Sequence, residues 1–111
     1  MENKLWLISY GANNIIETRQ IDILETHTIK YKVKAEFPFE NYNYIHMANL
    51  NTVQSRKKEK LHYIVSLSKD EGIITLQNYI YKQLNYLEKA IVKYENLNKN
   101  LGKLINIKGD K

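Results

Sequence analysis

The residues best suited by type and spacing to do chemistry are cations. Lys30, Lys32 and Lys34 occupy alternate positions of "THTIKYKVKAEF" (residues 26–37), and Arg56, Lys57, Lys58 and Lys60 crowd into "QSRKKEK" (54–60). On one shared face, such a row and such a loop would track a phosphate backbone, each contact adding to the salt dependence of binding. Tyr42, Tyr44 and Tyr63 would then be available to stack on bases. The same lysines also suit a simpler purpose, because charges along the exposed side of a strand keep it solvated and oppose edge-to-edge pairing. The basic character is localised: residues 28–34 carry three positive side chains and residues 54–60 four against one negative, whereas residues 68–101 carry five against four.

Other chemistry is thinner. His27, His46 and His62 share no metal-ligand spacing and read as structural residues. Cysteine is absent, which removes disulfides, thiolate metal sites and cysteine nucleophiles together. The carboxylates Glu17, Asp22, Glu25, Glu36 and Glu40 form no paired or metal-binding motif, the serines lack a nucleophile-elbow context, and four glycines make no phosphate loop. A non-enzyme with no cofactor and no metal is the expectation. The stretch "FPFENYNY" reads instead as a protein-binding patch. Phe37, Phe39, Tyr42 and Tyr44 surround the single proline, and tyrosine supplies contact area at low entropic cost.

One domain must carry all of this. The chain has 111 residues, 43% apolar and 26% charged, enough for a single core. A net charge of +5 permits a polyanionic partner without demanding one. Apolar runs such as "LWLI" are too short to span a bilayer, so no membrane partner is expected. "MENKLWLISYG" does not read as a signal peptide, and a cytoplasmic location is the expectation.

Residues 4–10, "KLWLISY", suit a strand buried on both faces. "GANN" is turn chemistry. Residues 15–25 alternate over part of their length, which suggests a second strand containing a bulge. In the third strand, His27, Ile29, Tyr31, Val33, Ala35 and Phe37 should face the core, with Pro38 ending the ladder. These three strands should form an antiparallel meander. Residues 42–50 read as a further strand, 54–60 as a basic loop or ribbon tip, and 61–67 as a strand with Leu61, Tyr63, Val65 and Leu67 inward. The fold class is α+β: an antiparallel sheet of four to five strands followed by one long C-terminal amphipathic helix.

The helix should start at the capping box "SKDE", with Ser68 as N-cap and Glu71 three residues on. It should end near Leu101, with Gly102 as the C′ residue and a frayed basic tail over 102–111. At 1.5 Å per residue it would be roughly 50 Å long, against a radius of gyration of about 13 Å for a domain of this size. It must therefore bend, break near Asn85, project, or pair. Ile73, Ile80, Leu87, Tyr94 and Leu101 recur every seven residues with Leu84 and Ile91 between them, and Gln77 and Asn98 interrupt the seam with polar groups. That pattern predicts self-association into a homodimer or higher oligomer.

A short meander carrying "YGANNIIET" and "THTIKYKV", followed by a long terminal amphipathic helix, resembles the small accessory proteins of phages and mobile elements of low-GC bacteria. The resemblance implies a protein that binds and inhibits or sequesters a host factor, either a defence protein or a nucleotide signal. A nucleic-acid-binding module using Lys30, Lys32, Lys34 and the 56–60 cations is the alternative.

Overall fold

The computed structural model describes residues 3–109, with side-chain environments for residues 3–105. The chain divides into two units, Met1–Gln77 and Asn78–Lys111. The first holds six strands: β1 (Lys4–Tyr10), β2 (Ile16–Thr26), β3 (Lys30–Val33), β4 (Tyr44–His46), β5 (Gln54–Arg56) and β6 (Leu61–Ser66). A single helix, α1 (Lys69–Gly109), follows. The strands form one antiparallel sheet in the order β4-β3-β2-β1-β6-β5. The architecture is the α+β class anticipated, with six strands rather than four or five. "QSRKKEK" forms its own hairpin arm, β5, beside β6. Residues 42–50 contribute only the three-residue β4 before a 3-10 turn at Met47–Asn49.

β1 lies at the centre of the sheet, and its continuous apolar run is buried on both faces, as that composition predicts. On one face Leu5 sits opposite Ile21 and Leu7 opposite Val65. These residues join Val33, Phe39 and Ile45 in one buried cluster. The cluster takes in β4 at one edge and β6 beside the other edge, which a flat sheet would hold far apart, so the sheet curls around it.

On the opposite face, Ile8 pairs with Ile64 and Trp6 with Ser66. The first turns of α1 cover this surface. Leu76 is buried there, and Gly72 lies so close that a Cβ would sit 2.6 Å from Ile8 Cδ1 and 3.1 Å from Ser66 Cβ. Lys69 Nζ lies 5.1 Å from the centre of the Trp6 ring.

Local chemistry fixes the junctions. The Glu71 amide donates to Ser68 Oγ at 3.3 Å, the N-cap bond read from "SKDE". The Glu71 carboxylate does not fold back to complete the box; it accepts a hydrogen bond from Asn51 Nδ2 at 3.5 Å. In the β1–β2 turn, the Asn14 amide donates to the Gly11 carbonyl at 3.0 Å, and Asn14 rather than the glycine takes the left-handed conformation, with φ of 62°.

Two expectations need correction. The strand expected over 26–37 is confined to Lys30–Val33. A register shift between Ile23 and Glu25, the bulge anticipated in β2, consumes the alternation before the β2–β3 turn. His27 and Ile29 fall at that turn and are exposed instead of core-facing. Beyond Val33 the chain leaves the ladder, so Ala35 and Phe37 are exposed too. The helix also runs further than expected. It passes through Asn85 without a break and through Gly102 to Gly109; no described glycine has positive φ, so Gly102 is a helix-interior residue. Residues 102–109 of the expected frayed tail are helical, and residues 110–111 lie outside the described chain.

The contact at Gly72 leads to a test. Gly72→Val should destabilise the protein by about 1–3 kcal/mol through overpacking against Ile8 and Ser66, measured as a lowered urea midpoint at unchanged slope. An unchanged midpoint would show that helix and sheet are not held at this spacing.

Candidate functional site

The sheet curls far enough to bring its edges near each other, but β4 and β5 do not pair. The segment between β3 and β4 fills much of the gap. Pro38 and Phe39 are buried, and Phe39 meets Tyr63 of β6 edge-on at 6.0 Å between ring centres. Two arginines clasp this segment from different strands. Arg19 of β2 donates to the Phe37 carbonyl at 2.6 Å and pairs with Glu36 at 3.6 Å. Arg56 of β5 donates to the Pro38 carbonyl at 3.0 Å and to Glu40 Oε1 at 2.5 Å, and its guanidinium lies 4.9 Å from the Phe37 ring centre. Its remaining nitrogens, Nε and Nη2, bind Glu59 at 3.2 and 2.8 Å. The planar five-donor fork of arginine suits this double clasp, and lysine could not reproduce it.

Beside the clasp a cleft of about 360 Å³ remains between the two edges. Phe39 and Tyr63 form part of its wall, Gln54 and Arg56 come from β5, and Tyr44 and His46 from β4. Around β4 the aromatic side chains gather. Tyr42 and Tyr44 are 5.5 Å apart between ring centres, and Tyr42 Oη lies 2.9 Å from His46 Nε2. Lys30 Nζ sits 4.3 Å from the centre of the Tyr44 ring, and the His27 ring is 5.9 Å from the same ring.

The backbone of β4 adds to the site. The Val33 amide donates to the Asn43 carbonyl, and the Met47 amide donates to the Ile29 carbonyl, so alternate residues Asn43, Ile45 and Met47 face β3. By the alternation of an antiparallel ladder, the amides and carbonyls of Tyr44 and His46 point the other way, toward the open edge.

Charge in the clasp is set by these contacts. The hydrogen bond from Arg56 holds the Glu40 carboxyl below its ordinary value, although partial burial opposes the shift. The same bond raises Arg56 above its usual value. The hydrogen bond and charge of Lys34 lower Glu36, with Arg19 contributing less. Burial pushes the Tyr63 phenol up against the opposing pull of Arg56.

The structure separates the cations that the sequence groups. Lys30 and Lys32 share the outer face of β3, but Lys34 lies past the strand end. Lys32 pairs with Glu25 at 3.3 Å and Lys34 with Glu36 at 2.9 Å. Lys57, Lys58 and Lys60 occupy the exposed turn of the β5–β6 hairpin. The ladder puts that turn at the Tyr10 end of β1, whereas Lys30 follows the β2–β3 turn at the other end. The two basic segments therefore do not form one track. The aromatic patch also divides: Phe39 belongs to the core, Phe37 lies under Arg56, and Tyr42 and Tyr44 line the cleft.

Sequence reasoning missed Arg19 and His46 as parts of this site. Tyr42, Tyr44 and His46 at two-residue spacing carried a signal for His46. No local pattern identifies Arg19, because its partners are 17 and 18 residues away.

Of the seam residues, Ile73 and Ile80 are half-buried, whereas Leu84, Leu87, Ile91, Tyr94 and Leu101 are each at least half exposed in the single chain. Among the described residues no cluster of His, Asp or Glu is arranged to hold a metal ion, and no helix is long and apolar enough to cross a membrane.

Fold and site together define an α+β protein whose curled antiparallel sheet leaves an aromatic cleft between its edges and is followed by a long helix. No protein-family model, curated protein or solved structure matches the chain.

The Glu40 clasp has a pH signature. Because the folded-state pKa of Glu40 is depressed, its contribution is complete above the ordinary carboxylate value of 4.5 and is lost as pH falls through the lowered value. Glu40→Gln should therefore unfold at a lower temperature than the parent at neutral pH, and the difference should vanish in acid below both values. An equal difference at all pH values would show that the carboxylate charge plays no part in the clasp.

Proposed function

We propose that this is a non-catalytic accessory protein of the phage type that binds a host factor and blocks it or keeps it from its target. The factor is a protein, held at the cleft between β4 and β5. The observation that carries this reading is the coincidence of an open strand edge with an aromatic-walled cleft. An extended segment added along β4 would gain main-chain hydrogen bonds from Tyr44 and His46, while alternate side chains entered the cleft. Tyr42 and Tyr44 would supply the rigid aromatic contact that dominates such interfaces. A nucleotide signal fits less well, because Arg56, the cation lining this cleft, is already engaged by Glu40 and Glu59.

One observation favours nucleic acid as a second reading. The hairpin turn bearing Lys57 and Lys60 borders a second cleft, of about 420 Å³, whose wall includes Tyr10 stacked on His62 at 5.0 Å. Exposed cations beside a stacked ring pair have the composition of a single-strand binding surface.

Quantitative capture from a bacterial host lysate, comparing the parent with Tyr42→Ala, tests the first reading. The expected result is a protein recovered at about one copy per chain and weakened at least about 10-fold by the substitution, as for a moderate interface hot spot. Capture indifferent to Tyr42→Ala would exclude this cleft. Fluorescence anisotropy with short DNA and RNA across a salt series tests the second. It requires binding that weakens steeply with salt and is lost in the Lys57, Lys58, Lys60→Ala triple variant; no binding at low salt would exclude it.

A further inference from the structure

The exposed seam of α1 repeats every seven residues. Placing Ile80, Leu87, Tyr94 and Leu101 at the d positions of a heptad puts Leu84, Ile91, Asn98 and Ile105 at the a positions. From Ile80 to Ile105, every core position but Asn98 is apolar or aromatic. We propose that this segment pairs with the same segment of a second copy in a parallel, in-register, two-stranded coiled coil.

Three observations select this occupant. The first is area. From Leu84 to Ile105 the core side chains are 50–70% exposed, Asn98 apart. With Leu97 and Leu104 on the flank they present on the order of 800 Å² per chain, the share of one partner in a standard interface. A surface of that size, continuous along one helix face and repeating at seven residues, matches a second helix of the same period.

The second is Asn98. In a parallel in-register pair it meets its own copy across the axis, where two amides hydrogen-bond to each other. That is the arrangement by which a single a-position asparagine fixes register and two-strandedness. In an antiparallel pair with the same seam overlapped, Asn98 would face Leu87 of the other chain, leaving two buried amides against apolar side chains.

The third is charge. The e positions hold Tyr81, Glu88, Glu95 and Gly102, while the g positions hold Gln83, Ala90, Leu97 and Leu104. Antiparallel pairing sets e against e along one side of the seam, placing Glu88 of each chain beside Glu95 of the other. Parallel pairing sets e against g, where Glu88 meets Gln83 and Glu95 meets Ala90, and like charges are kept apart. The lysines at 82, 89, 93, 99 and 103 fall at the outer b, c and f positions, away from the seam. The pairing does not depend on what the cleft binds. Its consequence is that two sheet units are joined at the same end of the paired helices, so a partner with two accessible segments would be held bivalently.

The chain lacks cysteine, so single cysteines report the arrangement cleanly. Sedimentation equilibrium at micromolar concentration should give twice the chain mass of 13.2 kDa. Under mild oxidation Leu101→Cys should form a covalent dimer nearly completely, because d positions meet their own copies only in the parallel register. Ile91→Glu should weaken association at least about 100-fold by burying unpaired carboxylates, while near-ultraviolet circular dichroism from the sheet unit's aromatic residues stays at the parent level. A monomer mass, or a mass of three or four chains, would overturn the proposal. So would a dimer in which Leu101→Cys cross-links only when mixed with Leu84→Cys, the antiparallel signature.

Discussion

The sheet has two unpaired edges, and what happens between them governs the rest of the first unit. Curling the six strands brings β4 and β5 near each other without letting them form a ladder, so the gap must be filled by side chains and sealed by hydrogen bonds of another kind. Phe39 supplies the filling, edge-on against Tyr63. Arg56 supplies much of the seal, with one guanidinium nitrogen on Pro38 and Glu40 and the others on Glu59. A single side chain thus links the β5–β6 hairpin to the segment that plugs the gap. Arg19 holds the same segment from β2. The cleft and the free edge of β4 are what this incomplete closure leaves behind. The proposed binding surface is thus a product of the same constraint that shapes the fold.

The cations illustrate how little charge alone says about function. A net positive chain with clustered lysines and arginines has the composition of a polyanion binder, yet Arg56 acts as an internal clasp, and Lys32 and Lys34 have acidic neighbours within 3.3 Å. Exposed ion pairs of this kind contribute little to stability. Their effect here is on availability, since a lysine already facing a carboxylate offers less to a phosphate. The hairpin turn over 57–60 differs, because its lysines project from a short exposed loop.

Much of the architecture was legible because local rules and packing agreed. The buried central strand followed from "KLWLISY", the bulge from the parity change in residues 15–25, and the helix start from Ser68 and its bond to Glu71. What was not legible depended on distant partners. Alternation in "THTIKYKVKAEF" promised a longer strand, but the β2–β3 turn takes up residues 27–29 and the chain leaves the ladder after Val33, so His27 and Phe37 fall outside it. Phe39 looked like surface beside Tyr42 and Tyr44, because nothing in "FPFENYNY" says that the sheet will curl and need a plug. Gly102 looked like a stop because glycine so often ends helices, yet α1 continues through it to Gly109. The clasp of Arg19 and Arg56 is a tertiary feature with no sequence period at all.

Arg56 and the plug, not a ladder, hold the two edges of the sheet together. Residue-resolved amide hydrogen exchange on Arg56→Ala tests it most directly. β4, β5 and the 37–43 segment should lose protection together while β1, β2 and β6 keep theirs, because the central strands are paired on both sides and the edges are not. Protection unchanged at β4 and β5, or lost equally in every strand, would contradict it.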